Sequence, residues 1–175
     1  MEQAVRKIAL LGMGTVGGGV YEIIERQKEE MPFKIGAALE VVKVLVRNKA
    51  KYADRIPAEK LTDVWEDVIG DDSIDIVVEV MGGIEPARTY IKAALEKGKH
   101  VVTANKDLMA MHGHELLELA GEHHCDLLFE AAVAGGIPII RPLKQCLAGN
   151  NITEIMGIIN GTTNFILTKM KEDGM

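Results

Sequence analysis

Aromatic residues are scarce in this chain. Only 4% of its 175 residues are Phe, Trp or Tyr, and Trp65 is the single tryptophan. The core must therefore be built from Val, Ile, Leu, Met and Ala. Cysteine is nearly absent. Cys125 and Cys146 stand apart and match no C-x-x-C or zinc spacing, which excludes a disulfide scaffold and suits two buried thiols in a reducing compartment. Ser73 is the only serine and sits in an acidic turn, so a serine nucleophile has no place. Excess positive charge is missing too. The formal net charge is -6, without a broad basic stripe, so general nucleic-acid binding is excluded. No apolar run approaches the roughly 18 residues of a membrane helix. Residues 8–11 are too short for a signal-peptide core and Glu2 precedes them. The expectation is a cytoplasmic protein with neither nucleic acid nor membrane as partner.

What is present is a glycine turn near the N-terminus. Residues 4–11 are apolar almost throughout, as in a strand buried on both faces. Gly12, Met13, Gly14, Thr15, Val16 and Gly17 follow with G-x-G-x-x-G spacing. Gly12 allows a sharp turn, Gly14 lets backbone approach a pyrophosphate, and Gly17 lets the next helix pack on the strand. That helix start offers free N–H groups and the positive end of a dipole to an anion. A strand before and a helix after make the motif a dinucleotide fingerprint rather than a chance spacing.

The rest alternates in the same way. A helix is predicted over about 15–30, a loop around Pro32 and Gly36, and a buried strand over 40–46. Residues 50–73 read as polar and irregular, with a short helix at 64–69. Strands follow at 75–80, 100–104 and 126–130, with helices after Pro86 and after Lys106, and Gly98 as a natural stop. A helix is expected over 138–148, a strand over 152–159 and a last helix over 163–172. This pattern predicts an α/β fold with a doubly wound parallel sheet, a Rossmann dinucleotide-binding domain. Ligands bind such sheets at the carboxyl ends of the strands. Arg47, Gly82, Gly83, Thr103, Lys106 and the 130–138 loop all fall there, pointing to one long crevice.

Arg47 stands where NAD-binding units usually carry an acid for the adenosine ribose. A guanidinium suits a 2′-phosphate, so NADP is favoured over NAD, against the plain alternative of a solvated basic loop. Lys106 could hold a ribose, a substrate oxygen or a proton in flight, or be an ordinary exposed lysine, though a cation sits unfavourably at a helix start. Glu130 could be structural, catalytic or part of a cation site, and spacing alone does not choose. The small residues after it allow main-chain carbonyls to converge on a hard cation. The paired histidines His112/His114 and His123/His124 lack zinc-ligand spacing and read as surface or capping residues. Trp65 reads as a packing residue.

Several segments together resemble homoserine dehydrogenase. They are G-M-G-T-V-G at 12–17, V-L-V-R at 44–47, V-E-V-M-G-G at 78–83 and V-V-T-A-N-K-D-L at 101–108. F-E-A-A-V-A-G-G-I-P-I at 129–139 and G-I-I-N-G-T-T-N-F-I-L-T-K-M at 157–170 complete them. The resemblance implies hydride transfer between NAD(P)H and L-aspartate 4-semialdehyde to give L-homoserine, on the way to threonine, methionine and isoleucine. It implies dinucleotide contacts at Met13, Thr15, Val16, Arg47 and Lys106, with Lys106 also catalytic. It implies a sodium ion at Glu130, Val133, Gly135 and Ile137, and Gly161 and Thr162 beside the nicotinamide and the small-molecule substrate. Residues 1–150 are then the dinucleotide-binding domain and 151–175 the start of an α+β substrate domain. The family's pattern continues beyond Met175, so the chain is expected to bind cofactor but to lack a full active site, its parent being a homo-oligomer. Two other readings remain: another Rossmann amino-acid or semialdehyde dehydrogenase, and a non-catalytic NAD(P)-binding module.

Overall fold

The computed structural model describes residues 4–157 and 161–174. Six parallel strands form one sheet: β1 (Val5–Leu11), β2 (Ala38–Leu45), β3 (Leu61–Thr62), β4 (Ile76–Glu79), β5 (His100–Thr103) and β6 (Leu127–Leu128). Their order is β3-β2-β1-β4-β5-β6, so the chain reverses direction across the sheet between β1 and β4. The helices are α1 (Thr15–Arg26), α2 (Met31–Ile35), α3 (Glu66–Ile69), α4 (Ala87–Glu96), α5 (Lys106–Glu122) and α6 (Gly161–Asp173).

Side-chain alternation along β1 explains why helices cover both faces. Ile8 and Leu10 point into a cluster with Ile24 of α1, Val41, Val44 and Ile56. Ala9 and Leu11 point the other way, into a cluster with Ala87, Ile91, Ala94 and Leu95 of α4 and Leu108, Leu116 and Ala120 of α5. Those four α4 residues are fully buried at helical spacing, and each large one contributes about 1.5–3 kcal/mol. Trp65 stacks on Tyr90, ring centroids 4.2 Å apart, which bears out its reading as a packing residue.

The doubly wound parallel sheet is as expected, and the differences from the sequence reading have local causes. The first helix ends at Arg26 rather than near residue 30. Pro32, placed in a loop, instead lies in the first turn of α2, where a missing N–H costs nothing, and Gly36 closes that helix with φ +78°. β3 escaped notice because two residues carry no periodicity. Strand 126–130 shrinks to Leu127–Leu128. The predicted helix over 138–148 is a π-helical turn at Pro142–Cys146, with Leu147 N–H reaching Pro142 O at 3.0 Å. Pro142 has no N–H to continue an α-helical ladder. Residues 152–157 are exposed and pair with no strand, and 158–159 lie outside the described residues. Cys146 is exposed and Cys125 only partly buried, so the two thiols are not core residues.

Candidate functional site

The glycine turn has the geometry its spacing demands. Gly12 has φ +97°, and a Cβ there would meet Val80 O at 3.0 Å. A Cβ on Gly17 would overlap Gly12 O, so the start of α1 can pack on the turn only with glycine there. A Cβ on Gly14 would meet nothing within 4 Å, so this position fronts open space. Thr15 and Val16 are exposed on the first turn of α1, and the buried Met13 anchors the turn in the core.

A cavity of about 500 Å³ opens from this turn along the carboxyl ends of β1, β2 and β4. Gly12, Met13, Gly14, Arg47 and Gly82 line it together with Lys51. Tyr52, Asp63 and Tyr90 also line it, and nothing in the sequence marked these three as site residues. Arg47 is exposed. Lys49 is paired with Asp63 at 2.7 Å, and this bond holds the Asp63 carboxyl below the usual carboxylate range.

Lys106 lies elsewhere. It is the exposed first residue of α5 and lines a second cavity of about 660 Å³ with Phe129, Ala132 and Val133. The expected single crevice is thus two separate cavities among the described residues. Gly161 and Thr162 begin the exposed α6 and line neither.

A fully buried carboxylate holds the two strand ends between these cavities. Glu79, the last residue of β4, accepts the N–H of Met81 at 2.8 Å and, longer, of Gly82 at 3.4 Å. Its other oxygen accepts the Thr103 hydroxyl at 2.7 Å, and Thr103 in turn accepts Asn105 N–H at 3.0 Å. Asn105 donates from Nδ2 to Gly83 O and caps α5 by accepting Leu108 N–H. Thr103 is therefore buried and structural through its side chain. Gly82 and Gly83, at φ +75° and +77°, form the turn that this clip holds. Glu79 and Asn105 were not singled out from sequence. The signal available was an acid at the end of an otherwise apolar strand.

The Glu130 carboxylate is also engaged by backbone. It accepts N–H from Ile139, Ile140 and Arg141 at 2.5, 2.8 and 2.7 Å. The bond from Ile139 contributes most to holding its pKa down. Sequence left its role open, and the structure shows a carboxylate capping the turn that begins at Ile139. Within the intervening loop, Ala134 and Gly135 adopt positive φ. Among the described residues, Val133 N–H donates to Glu130 O and Ile137 N–H to Ala134 O, leaving the carbonyls of Val133, Gly135 and Ile137 to other donors or ligands. No cluster of three acidic, Cys or His ligands occurs among the described residues. A cation here would be held by main-chain oxygens, a donor set that suits a hard ion.

Comparison with known proteins follows the same lines. A family model described as "Homoserine dehydrogenase, NAD binding domain" matches residues 12–130, and one described as "Homoserine dehydrogenase" matches 138–175. The chain is 51% identical over 165 residues to the homoserine dehydrogenase of Bacillus subtilis, covering 94% of this chain and 38% of that protein. It is 49% identical over 168 residues to that of Mycobacterium tuberculosis, covering 95% of this chain and 38% of that protein. A homoserine dehydrogenase from Thiobacillus denitrificans superposes with a TM-score of 0.86 at 46% identity, over 99% of this chain and 41% of that one. A hyperthermophilic archaeal homoserine dehydrogenase solved with NADPH superposes with a TM-score of 0.79 at 31% identity, over 96% of this chain and 57% of that one.

Proposed function

Because the chain belongs to the homoserine dehydrogenase family, we propose that it forms the cofactor-binding part of an enzyme interconverting L-aspartate 4-semialdehyde and L-homoserine. The chain spans 38% of the length of the Bacillus subtilis relative. Residues 1–150 serve as the dinucleotide domain and 151–175 belong to the substrate domain. In support, the second family match, over 138–175, takes in all of 151–175, and no described residue of that stretch is buried.

When bound, the nicotinamide dinucleotide supplies or accepts the hydride. The chain's part is to hold and orient. The N–H groups and dipole at the start of α1 neutralise the pyrophosphate beside Gly12 and Gly14. Arg47 binds the 2′-phosphate, giving a preference for NADP over NAD. The archaeal relative solved with NADPH is consistent with this choice. Gly82 and Gly83 present backbone to the dinucleotide. Lys106 serves as the catalytic cation, holding the carbonyl oxygen or its proton as the alcohol forms. Gly161 and Thr162 approach the nicotinamide and substrate. Val133, Gly135 and Ile137, with Glu130, would hold a sodium ion through main-chain oxygens. The protein works as a cytoplasmic homo-oligomer supplying threonine, methionine and isoleucine synthesis.

The observation that carries this reading is the open face at Gly14 within a cavity that Arg47 also lines. Its binding half is tested by titrating the chain with NADPH, expecting saturable binding. Its catalytic half is tested in a chimera in which this chain replaces the matching segment of the Bacillus subtilis enzyme. NADPH oxidation should depend on L-aspartate 4-semialdehyde. A folded chimera that prefers other amino-acid aldehydes would overturn the assignment.

A further inference from the structure

The lining of the cavity around Arg47 includes the acidic half of an ionic pair that pyrophosphate binding does not require. Asp63, just past β3, meets Lys49 Nζ at 2.7 Å and lines the cavity together with Arg47, Asn48 and Lys51. The sheet sets its place. Leu45 pairs with Thr62, and Val46 N–H donates to Thr62 O at 2.9 Å. Asp63 therefore leaves β3 at the level where the chain leaves β2 toward Arg47. Thr62 fixes the turn that presents it, donating its hydroxyl to Asp67 and accepting Val64 N–H. The side chains of Asp63 and Lys49 are 47% and 49% exposed, so either can exchange partners at small cost.

Where a nucleotide-binding unit uses an acid to take the ribose hydroxyls, that acid ordinarily ends the second strand. Arg47 occupies that place here, and among the described residues the only carboxylate in the cavity lining comes from the neighbouring strand. We propose that the Asp63–Lys49 pair tunes cofactor choice. Asp63 accepts the adenosine ribose hydroxyls of NAD(H). A 2′-phosphate instead draws Lys49 off Asp63 to join Arg47. Paired with Lys49, Asp63 repels the phosphate little. Once Lys49 turns to the phosphate, the bare carboxylate opposes it, so the pair moderates the preference that Arg47 alone would impose. The site consequently accepts both cofactors. This inference rests on reading the cavity as the adenosine end of a nicotinamide dinucleotide site.

The test is titration of the chain and of its Asp63→Asn and Lys49→Gln variants with NADPH and NADH, followed by cofactor fluorescence, with melting curves to verify folding. Asp63→Asn should tighten NADPH and weaken NADH, moving the ratio of their Kd values about two- to fivefold toward NADPH, the range of an exposed ionic effect. Lys49→Gln should move the ratio the opposite way. If the unaltered chain binds both cofactors and each variant shifts them together, or not at all, the discriminating role is refuted and the dinucleotide reading stands. If the unaltered chain binds neither, the dinucleotide reading fails and this role with it.

Discussion

Replacing Glu79 with Gln tests whether a buried carboxylate holds the cofactor-facing loops. Glu79 has 0% exposure, and its partners are backbone N–H groups and a hydroxyl rather than a cation. Gln keeps the shape, and its carbonyl can still accept Met81 N–H. Its amide nitrogen, however, faces a hydroxyl that currently donates. Thr103 Oγ1 would have to accept from the new amide and from Asn105 N–H at once, leaving its own proton without an acceptor in a fully buried position. An orphaned buried donor costs about 1–3 kcal/mol. For a domain of this size that corresponds to a fall in Tm of about 2–12 °C. Glu79→Ala also orphans Met81 N–H, bringing the cost to about 2–6 kcal/mol. Thermal unfolding and NADPH titration read the two consequences. The turn at Gly82 and the start of α5 should loosen together, so cofactor affinity should fall even where the variant stays folded. A Gln variant with unchanged Tm and unchanged NADPH affinity would refute the argument. So would strict additivity with Thr103→Val, because groups sharing one network must couple.

Three further outcomes follow from the same geometry. Arg47→Asp should weaken NADPH binding and shift preference toward NADH; an unchanged ratio of the two affinities would remove Arg47 from the 2′-phosphate. Gly17→Ala drives a Cβ into the main-chain oxygen of Gly12, so α1 must move. Destabilisation of several kcal/mol with loss of NADPH binding is expected, while Gly19→Ala, where a Cβ meets nothing within 4 Å, should retain both fold and binding. Glu115 links α4 to α5 through Lys92 and Arg88 at 2.6 and 2.8 Å, and their hydrogen bonds hold its pKa down to about 2 from an ordinary 4.5. A depressed carboxylate stabilises the fold above the ordinary value and loses that effect as pH falls toward the folded value. The Tm advantage of the unaltered chain over Glu115→Gln should be full at pH 7 and shrink between about pH 4.5 and 2.

Sequence revealed what depends on repetition or on the special backbone of glycine. Val5–Leu11 is continuous and largely apolar, and Ala87, Ile91, Ala94 and Leu95 fall on one helical stripe, so strand and helix were visible from hydrophobicity. Gly12 and Gly17 were legible because only glycine tolerates those positions. Leu61–Thr62 was not, since a two-residue strand exists only through its ladder to Val44 and Leu45. Asp63 was missed for the same reason: its relevance to the cavity follows from the position of that strand. Lys99, buried with its ammonium on the carbonyls of Asp71 and Ile74, has no pattern that betrays it either.

The two carboxylates at the site share one physical logic. Glu79 and Glu130 both accept backbone N–H groups, of residues 81–82 and 139–141 respectively, and Glu79 accepts the Thr103 hydroxyl besides. An acceptor of this kind can gather a loop without a counter-ion, since several N–H dipoles together stabilise the charge. That leaves Arg47 and Lys106 uncommitted to Glu79 and Glu130. A cofactor carrying phosphates requires cations and helix N-termini that are not already paired internally. In this chain the loops are ordered by acids bound to backbone, and the pair that joins the cavity-lining acid Asp63 to a base, Lys49, is the half-exposed one that an incoming phosphate can reopen.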